Sequence, residues 1–425
     1  QRIQVHSGLG EVQSFIGDYE GALNSYLVAL ELLRTSLSGL GFYASAAIMR
    51  RIGRVHERRG EYLESIRWLE NALREIDRDP QSGKSVERVR IFNDIGWVHY
   101  RRGQFEEAYQ WRMRSLQIVE GTDNYNEMAS VYNGLCALFI QKGDWARSTA
   151  YAEKGLRLRE TIGDLRGVSQ SYTNLAVIAW EQSDWNKTLE HLNRSREIKE
   201  KIGDIEGIAL VNNNLGEAYR DKGAYDRAIN LGEKSLAIAE RIKNGNLICL
   251  ALNNLAHANI LQDKFSDAIV QLERSKSVAI EMGSKEHLAE ATGLLAEANL
   301  GRMEISAADQ FAHEALAIAT EIGKRLLEGR SLRTLGKICQ RQNQMDRAFE
   351  YCKKSAAVFS DLKNIFELTK TQFQLALLQR ERGQITEARA MLEAASAAFA
   401  RLGAEGERQR ARAELDRMIT SVTRS

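Results

Sequence analysis

Apolar, small and turn-forming residues recur along this chain at fixed distances from one another. A turn position, often glycine, is followed two residues later by a large apolar residue and five residues later by a small one, as in "KGAYDRA" (222–228). Related segments place the turn at residues 17, 60, 103, 143, 183, 223, 263, 303, 343 and 383. The spacing is 43 residues twice and then 40 residues seven times, which predicts one structural unit repeated ten times.

Small residues on both sides of each turn indicate that the repeated unit is a helical hairpin. In the sixth repeat, Leu215 and Gly216 precede the turn, and Ala228 and Ser235 follow it. Small side chains allow two helices to approach closely, and the large apolar residue fills the space beside the turn. One hairpin cannot bury its own apolar face, so neighbouring hairpins are expected to stack and share a core. The single proline of the sequence, Pro80, agrees with helices throughout.

This register resembles that of tetratricopeptide-repeat (TPR) arrays and covers about residues 5 to 400. The repeats are longer than the common length of about 34 residues. They resemble the class found in C-terminal arrays of bacterial signalling ATPases, transcription activators and nucleotide cyclases. The resemblance implies an all-α fold, an α-solenoid of about ten antiparallel helix pairs in a right-handed superhelix.

The two ends of the predicted array differ. Residues 404–421, "AEGERQRARAELDRMITS", are highly charged and are expected to form a helix that shields the last repeat from water. We therefore predict a TPR solenoid over residues 1–403 and a C-terminal capping helix and tail over residues 404–425. No such cap is found at the N-terminal end, which favours an upstream segment of the same polypeptide.

Composition and charge argue against several classes of partner. The net charge of +2 indicates neither nucleic acid nor an anionic membrane surface. No apolar run is long enough for a transmembrane helix. The four cysteines show no CxxC spacing, which is typical of reduced, buried thiols and favours a cytoplasmic protein.

Motifs of catalysis and cofactor binding are not found in the sequence. It contains neither a GxxxxGK[ST] phosphate loop nor an HExxH zinc motif, and its seven histidines lack metal-ligand spacing. Carboxylates fall on predicted solvated helix faces, where no acid–base pair stands out. We therefore predict that the protein is not an enzyme and binds no cofactor or metal.

The resemblance also indicates which residues would bind a ligand, because the first helix of each pair lines the concave groove of a TPR array. With Leu215 facing the core, the helical rotation of about 100° per residue places Asn213, Glu217 and Arg220 on the groove side. Equivalent offsets in other repeats complete the set. The candidate peptide-binding residues are Asn93, Trp97, Tyr100, Asn133, Ile140, Trp180, Asn213, Arg220, Asn253, His257, Arg330, Arg333 and Lys337.

Four asparagines of this set, Asn93, Asn133, Asn213 and Asn253, share one offset and would form a row along the groove. A carboxamide both donates and accepts hydrogen bonds, so it can pair with the backbone of an extended peptide. The alternative is that each amide bonds to an adjacent helix or to water. The aromatic candidates have a similar alternative, because they either anchor a partner or pack between neighbouring helices.

These patterns predict a non-catalytic scaffold that binds a protein or peptide in its concave groove. Arg330, Arg333 and Lys337 favour a ligand with an apolar centre and an acidic end, unless Glu290 and Glu297 of the neighbouring repeat pair with them. One alternative is a sensor or regulatory segment of a larger signalling protein whose effector domain lies outside this sequence and would itself be the partner. A third is a self-associating oligomerisation array.

Overall fold

The computed structural model describes residues 1–15, 17–35, 41–79, 83, 85–182 and 184–422. Within these ranges it contains 21 helices and no strand, which confirms the predicted all-α solenoid of helix pairs. The helices are α1 (Arg2–Phe15), α2 (Tyr19–Thr35), α3 (Gly41–Arg58), α4 (Tyr62–Ile76), α5 (Val86–Arg101), α6 (Phe105–Val119), α7 (Tyr125–Gln141), α8 (Trp145–Thr161), α9 (Leu165–Glu181), α10 (Trp185–Ile202), α11 (Ile205–Asp221), α12 (Tyr225–Arg241), α13 (Gly245–Leu261), α14 (Phe265–Glu281), α15 (Lys285–Gly301), α16 (Ile305–Glu321), α17 (Arg325–Arg341), α18 (Met345–Asp361), α19 (Ile365–Glu381), α20 (Ile385–Leu402) and α21 (Glu405–Val422).

The predicted turn positions end the first helix of each pair in a left-handed backbone conformation. Gly223 has φ 89°, and the next amide, that of Ala224, donates to the carbonyl of Tyr219 at 2.8 Å. This closure satisfies a carbonyl at the end of the helix, and glycine adopts it without strain. The same conformation is found at Gly17, Gly60, Gly103, Gly143, Asp263, Met303, Asn343 and Gly383, while residue 183 lies outside the described ranges.

The small residues of the register lie where the two helices of a pair meet. Ala228 and Ser235 of α12 are both buried. The Ser235 hydroxyl donates to the carbonyl of Ala209 on α11 at 2.8 Å. Ser115 and Ser355 make the equivalent bonds in their own repeats. A small hydroxyl therefore both permits the close approach of the helices and satisfies its own hydrogen-bonding capacity inside the core.

The chain divides into two compact units, residues 1–174 and residues 175–425, called here the N-terminal unit and the C-terminal unit. Both units are built from helix pairs of the same repeated type. The division into a solenoid and a separate terminal segment at residue 404 stays a prediction. None of the described helices is both long and apolar enough to cross a lipid bilayer.

Helix α21 caps the last repeat, as predicted for the C-terminal end. Its Leu415 and Met418 pack against Ala376, Ala388 and Leu392 of α19 and α20. These contacts cover part of the apolar surface of the final pair.

The C-terminal unit closes on itself, which the sequence analysis did not predict. The Trp185 ring of α10 lies 5.7 Å from the Phe366 ring of α19, centroid to centroid. At Gly223 the backbone approaches α21 so closely that a Cβ there would lie 2.8 Å from the Gly406 nitrogen. Farther along α21, Arg410 donates to the Leu261 carbonyl at 3.3 Å. The last helices of this unit therefore contact its first ones.

Candidate functional site

In the N-terminal unit, the predicted aromatic residues form a partly exposed stack on α5. The rings of Trp97 and Tyr100 are 5.3 Å apart and nearly parallel, at 15°. Trp97 remains 37% exposed, and its Nε1 donates to the Glu57 carboxylate at 3.0 Å. On its other side Tyr100 meets the Phe105 ring edge to face at 5.8 Å. The indole is therefore held in one orientation while part of its face stays in solvent.

A cavity of about 250 Å³ lies beside this stack, between α3, α4, α5, α6 and α7. The predicted residues Asn93, Trp97 and Asn133 line it. The Asn133 carbonyl accepts a hydrogen bond from the amide of Asn174. By contrast, neither atom of the buried Asn93 amide has a hydrogen-bond partner in the part of the chain that the structure describes. Ile140 is half-buried on α7 and does not line the cavity.

Arg112 of α6 also lines this cavity, and the sequence analysis did not single it out. It is only 4% exposed, and burial lowers its pKa to about 10. The signal was available in the repeat register, because Arg112 follows its turn by nine residues. The residues at that distance from the other turns are all uncharged, namely Tyr26, Leu69, Ala152, Leu192, Gly232, Leu272, Ala312, Cys352 and Leu392.

In the C-terminal unit, the predicted asparagines are buried in hydrogen bonds between neighbouring helices. The Asn254 amide donates to the Asn213 carbonyl at 2.8 Å and to Glu217 at 2.6 Å. The Asn253 amide donates to Glu290 at 3.0 Å. Of the three asparagines in "NNN" (212–214), Asn213 is thus held by a partner on the next repeat. Ligand binding by Asn213 and Asn253 stays a prediction.

The predicted basic cluster also has acidic partners within the fold. Arg330 and Arg333 of α17 lie 2.8 and 2.7 Å from the two carboxylate oxygens of Glu367 on α19. Burial opposes the ionisation of Glu367, but these two arginines outweigh it and hold its pKa well below the usual range. Burial likewise opposes ionisation of Glu297, and Lys337 with Arg333 lowers its pKa. The cluster is therefore largely neutralised from within.

The remaining candidates of the C-terminal unit are buried or packed as well. Arg220 is 2.9 Å from Asp221 and donates to the Asn254 carbonyl at 2.9 Å. Burial, and then the charges of Arg220 and Lys370, holds the pKa of His257 well below its usual value, so its imidazole is neutral. Trp180 is half-buried, with its ring 5.9 Å from that of Trp185.

A larger cavity of about 980 Å³, partly open to solvent, lies in the C-terminal unit. Of the predicted residues, His257, Arg333 and Lys337 line it. Helix α21 supplies part of the wall, which sequence reasoning missed, with Glu407, Arg410, Glu414 and Arg417. The groove of these repeats is therefore a highly charged recess that is partly open to solvent.

Two of the buried cysteines have strongly raised pKa values. Burial raises the pKa of Cys136 and Cys352 to about 12, so these thiols stay protonated. Among the described residues, no group of three or more His, Cys, Asp or Glu side chains is arranged to hold a metal ion.

Repeated helix pairs with small residues at their contacts and a ligand-sized inner face define a solenoid of the protein-interaction class. The family model described as tetratricopeptide repeat matches residues 44–121, 127–201 and 207–281, together more than half of the chain. The chain belongs to the tetratricopeptide-repeat family, whose members are typically non-catalytic interaction scaffolds. No curated protein matches the sequence.

Several solved structures share the fold. Aspartyl phosphate phosphatase F from Bacillus subtilis has a TM-score of 0.60 at 12% identity, covering 84% of this chain and 93% of that chain. A Rap protein complexed with competence and sporulation factor has a TM-score of 0.52 at 15% identity, and the match covers 84% of this chain and 99% of that chain. The third is a signal transduction ATPase with numerous domains (STAND) from Pyrococcus horikoshii, which has a tetratricopeptide repeat sensor. Its TM-score is 0.53 at 18% identity, and the match covers 81% of this chain and 55% of that chain. At these identities the likeness shows the fold alone.

Proposed function

We propose that this chain is a scaffold that binds an extended peptide segment, with an apolar centre and an acidic end, on the inner face of its first helices. The observation that supports it is the Trp97–Tyr100 stack, partly exposed beside a cavity that contains an unpartnered amide. Tryptophan and tyrosine dominate binding energy at protein interfaces because they bury large areas at low conformational cost. The stack offers such an anchor.

The N-terminal unit supports this proposal better than the C-terminal unit does. In the C-terminal unit Asn213, Asn253 and Arg333 bond to neighbouring repeats. In the N-terminal unit Asn93 is buried with its hydrogen-bonding capacity unused, which is costly unless a ligand or water completes it. We therefore place the first contact of the peptide at α5 and α7.

Selection from a display library of random short peptides tests the proposal. Wild type is expected to enrich peptides that share apolar residues, and Trp97→Ala should weaken their binding at least about tenfold, since truncating an interface hot spot costs about 2 kcal/mol or more. Leu63→Ala is the matched control, because Leu63 is exposed on the second helix α4. Enrichment of no peptide would contradict the proposal, and so would equal losses in the two variants.

The other features follow from the same proposal. The scaffold would act in the cytoplasm without catalysis or cofactor, and would contact neither nucleic acid nor membrane. The protonated thiols of Cys136 and Cys352 support the absence of a cysteine nucleophile. Binding of peptide without turnover of it, measured by mass spectrometry after long incubation, is the expected result.

A second candidate function is that of a sensor segment whose C-terminal unit changes state on binding. The contact of Trp185 with Phe366 supports it, because a ligand entering the 980 Å³ cavity would touch α19, and α19 carries Phe366 onto α10. The TPR sensor named for the STAND structure is in keeping with it. Hydrogen exchange in α10 and α19 should change when a selected peptide binds, and unchanged protection would exclude this function.

A third candidate, self-association, rests on α1. Val5, Leu9 and Val12 fall on one face of that helix, and all three are exposed. Sedimentation velocity over a range of concentrations should then show an oligomer that Leu9→Glu dissolves. A monomer at every concentration would rule it out.

A further inference from the structure

Arg112 occupies space that two glycines leave open in the N-terminal unit. A Cβ on Gly134 of α7 would lie 1.5 Å from its Nη1, and a Cβ on Gly96 of α5 would lie 3.1 Å from its Cγ. Most other repeats carry a larger side chain at the position of Gly134, such as Asp94, Asn174 or Asn254. The guanidinium of the third repeat and the gap that holds it therefore occur together where α6 packs against α5 and against α7 of the fourth repeat.

The acidic groups around Arg112 are engaged elsewhere. Asp94 lies 3.0 Å from Arg50, and the Glu57 carboxylate accepts from Trp97 and from Arg101. The Arg112 Nε is buried without a hydrogen-bond partner, and Asp94 acts on the guanidinium only at longer range. Among the described residues no carboxylate forms an ion pair with it. Arg112 is thus a buried cation whose partner is not supplied by these elements.

We propose that the cavity of the N-terminal unit binds the carboxylate of one Asp or Glu side chain of an extended peptide, with Arg112 as its charge partner. The inference rests on the proposed function and specifies a feature that its ligand must carry. The Asn93 amide lies at the same cavity with both of its atoms unpartnered, and Leu69 and Val98 supply apolar wall for the side-chain stem.

The charges at the cavity favour a carboxylate over a phosphate. Two arginines line the cavity, but Arg54 is exposed to solvent, so the one buried guanidinium, that of Arg112, balances one negative charge. Its planar fork matches a carboxylate. A phosphate monoester carries about −1.5 to −2 charges at neutral pH. Its second charge would be repelled by Asp94 and Glu57, which line the same cavity. A side-chain carboxylate meets both the charge and the shape of the site.

Parallel selections with three proteins test this assignment. Random short peptides are displayed to wild type, to Arg112→Leu and to Arg114→Leu. Leucine is the residue found at the register position of Arg112 in four other repeats, so this variant is expected to fold. Arg114 lies exposed on the same helix and outside the cavity, so its removal changes the net charge equally.

Wild type and Arg114→Leu should enrich peptides with Asp or Glu at one fixed position, and Arg112→Leu should not. Changing that residue to Gln or Asn in a selected peptide should raise its Kd for wild type at least about tenfold, and for Arg112→Leu less than about twofold. Gly134→Ala, which retains the charge but displaces the guanidinium, should behave like Arg112→Leu.

The outcomes separate the two proposals. Peptides selected without a fixed acidic position, or an acidic preference that survives in Arg112→Leu, would overturn the carboxylate site while leaving peptide binding intact. Enrichment of no peptide by any of the three proteins would overturn both. If wild type selects no peptide but acetate raises its Tm and not that of Arg112→Leu, the site takes a free carboxylate and the peptide source is wrong.

Discussion

Each unit contains a buried arginine, and the two arginines differ in whether the fold provides a carboxylate partner. Arg333 in the C-terminal unit and Arg112 in the N-terminal unit are 3% and 4% exposed. Arg333 lies 2.7 Å from the equally buried Glu367, whereas Arg112 lies between two glycines beside a cavity. An ion pair closed within the fold adds specificity to the packing of repeats. A buried cation left without a partner lowers stability. Under our proposal, the carboxylate of the ligand completes it.

The largest effect should come from removing the acid of the closed network. Glu367→Gln leaves Arg330 and Arg333 without their common carboxylate, and breaking a buried ion pair on one side costs about 3–5 kcal/mol. Urea unfolding should show this loss. Glu387→Gln, at an exposed position of α20, is the control and should change little. A loss no larger than that of the control would mean that the two units do not differ in this respect.

Arg112→Leu should have the opposite sign. It removes an uncompensated buried charge and is expected to raise the free energy of unfolding by about 2 kcal/mol, since unpaired buried ions cost several kcal/mol and part of the gain is lost to a small cavity. Arg114→Leu should stay within about 0.5 kcal/mol of wild type. A destabilised Arg112→Leu protein would show that the fold itself satisfies this guanidinium.

Acid should expose a smaller difference that belongs to the C-terminal unit. The ordinary pKa of histidine is near 6.5. Burial lowers the pKa of His257, and the positive charges of Arg220, Lys370 and Arg330 lower it further, while the negative charge of Glu367 opposes them. Below pH 6.5 the unfolded chain then binds more protons than the folded one, so stability falls as pH falls. The raised pKa of Glu217, caused by burial, acts in the opposite direction.

His257→Gln isolates this contribution. Between pH 7 and 5 its free energy of unfolding should fall less than that of wild type, measured by urea titration at each pH. The exposed His313→Gln should follow the wild-type curve. Superimposable curves for all three proteins would show that His257 protonates as readily in the folded as in the unfolded chain.

The smallest effect concerns the turns. In the N-terminal unit all described left-handed positions are glycines, whereas the C-terminal unit also uses Lys243, Asp263, Met303, Asn343 and Lys363. A left-handed non-glycine residue costs about 1–2 kcal/mol, so Met303→Gly should gain about 1 kcal/mol and Gly143→Ala should lose about as much. Equal Tm values for Met303→Gly and wild type would show that the C-terminal turns carry no strain.

The repeat register made most of the fold predictable, because helix pairing depends on residues close in sequence. The geometry of a hairpin is determined by residues that lie close together in sequence, such as the turn at Gly223 and the small residues Ala228 and Ser235. Arg112 was missed although it departs from the register. Phe366 was missed because the equivalent position varies, with Asn126, Glu206 and Glu286 in some repeats and Tyr43, Val86 and Leu326 in others. Its partner Trp185 is far away in sequence, so nothing nearby in the sequence indicates the contact.

Site residues were harder to predict because their positions depend on what surrounds them. The asparagines of the predicted row lie on first helices, and their binding of a ligand stays a prediction. Asn213 and Asn254 bond to each other, while Asn93 has no hydrogen-bond partner among the described residues. A shared helical offset determines on which side of its helix a residue lies. Whether it meets a neighbour or a ligand depends on the side chains of the adjoining repeat, which differ from one repeat to the next.

The contact between Trp185 and Phe366 limits where whole repeats could be gained or lost during evolution. An open array can gain or lose a hairpin anywhere, since each repeat touches only its neighbours. In a unit whose first and last helices touch, an inserted hairpin would carry Phe366 and Phe399 away from Trp185. The number of repeats between α10 and α21 is therefore constrained by the contact between the first and last helices of the unit. Duplications and deletions of whole repeats should be tolerated only outside that interval.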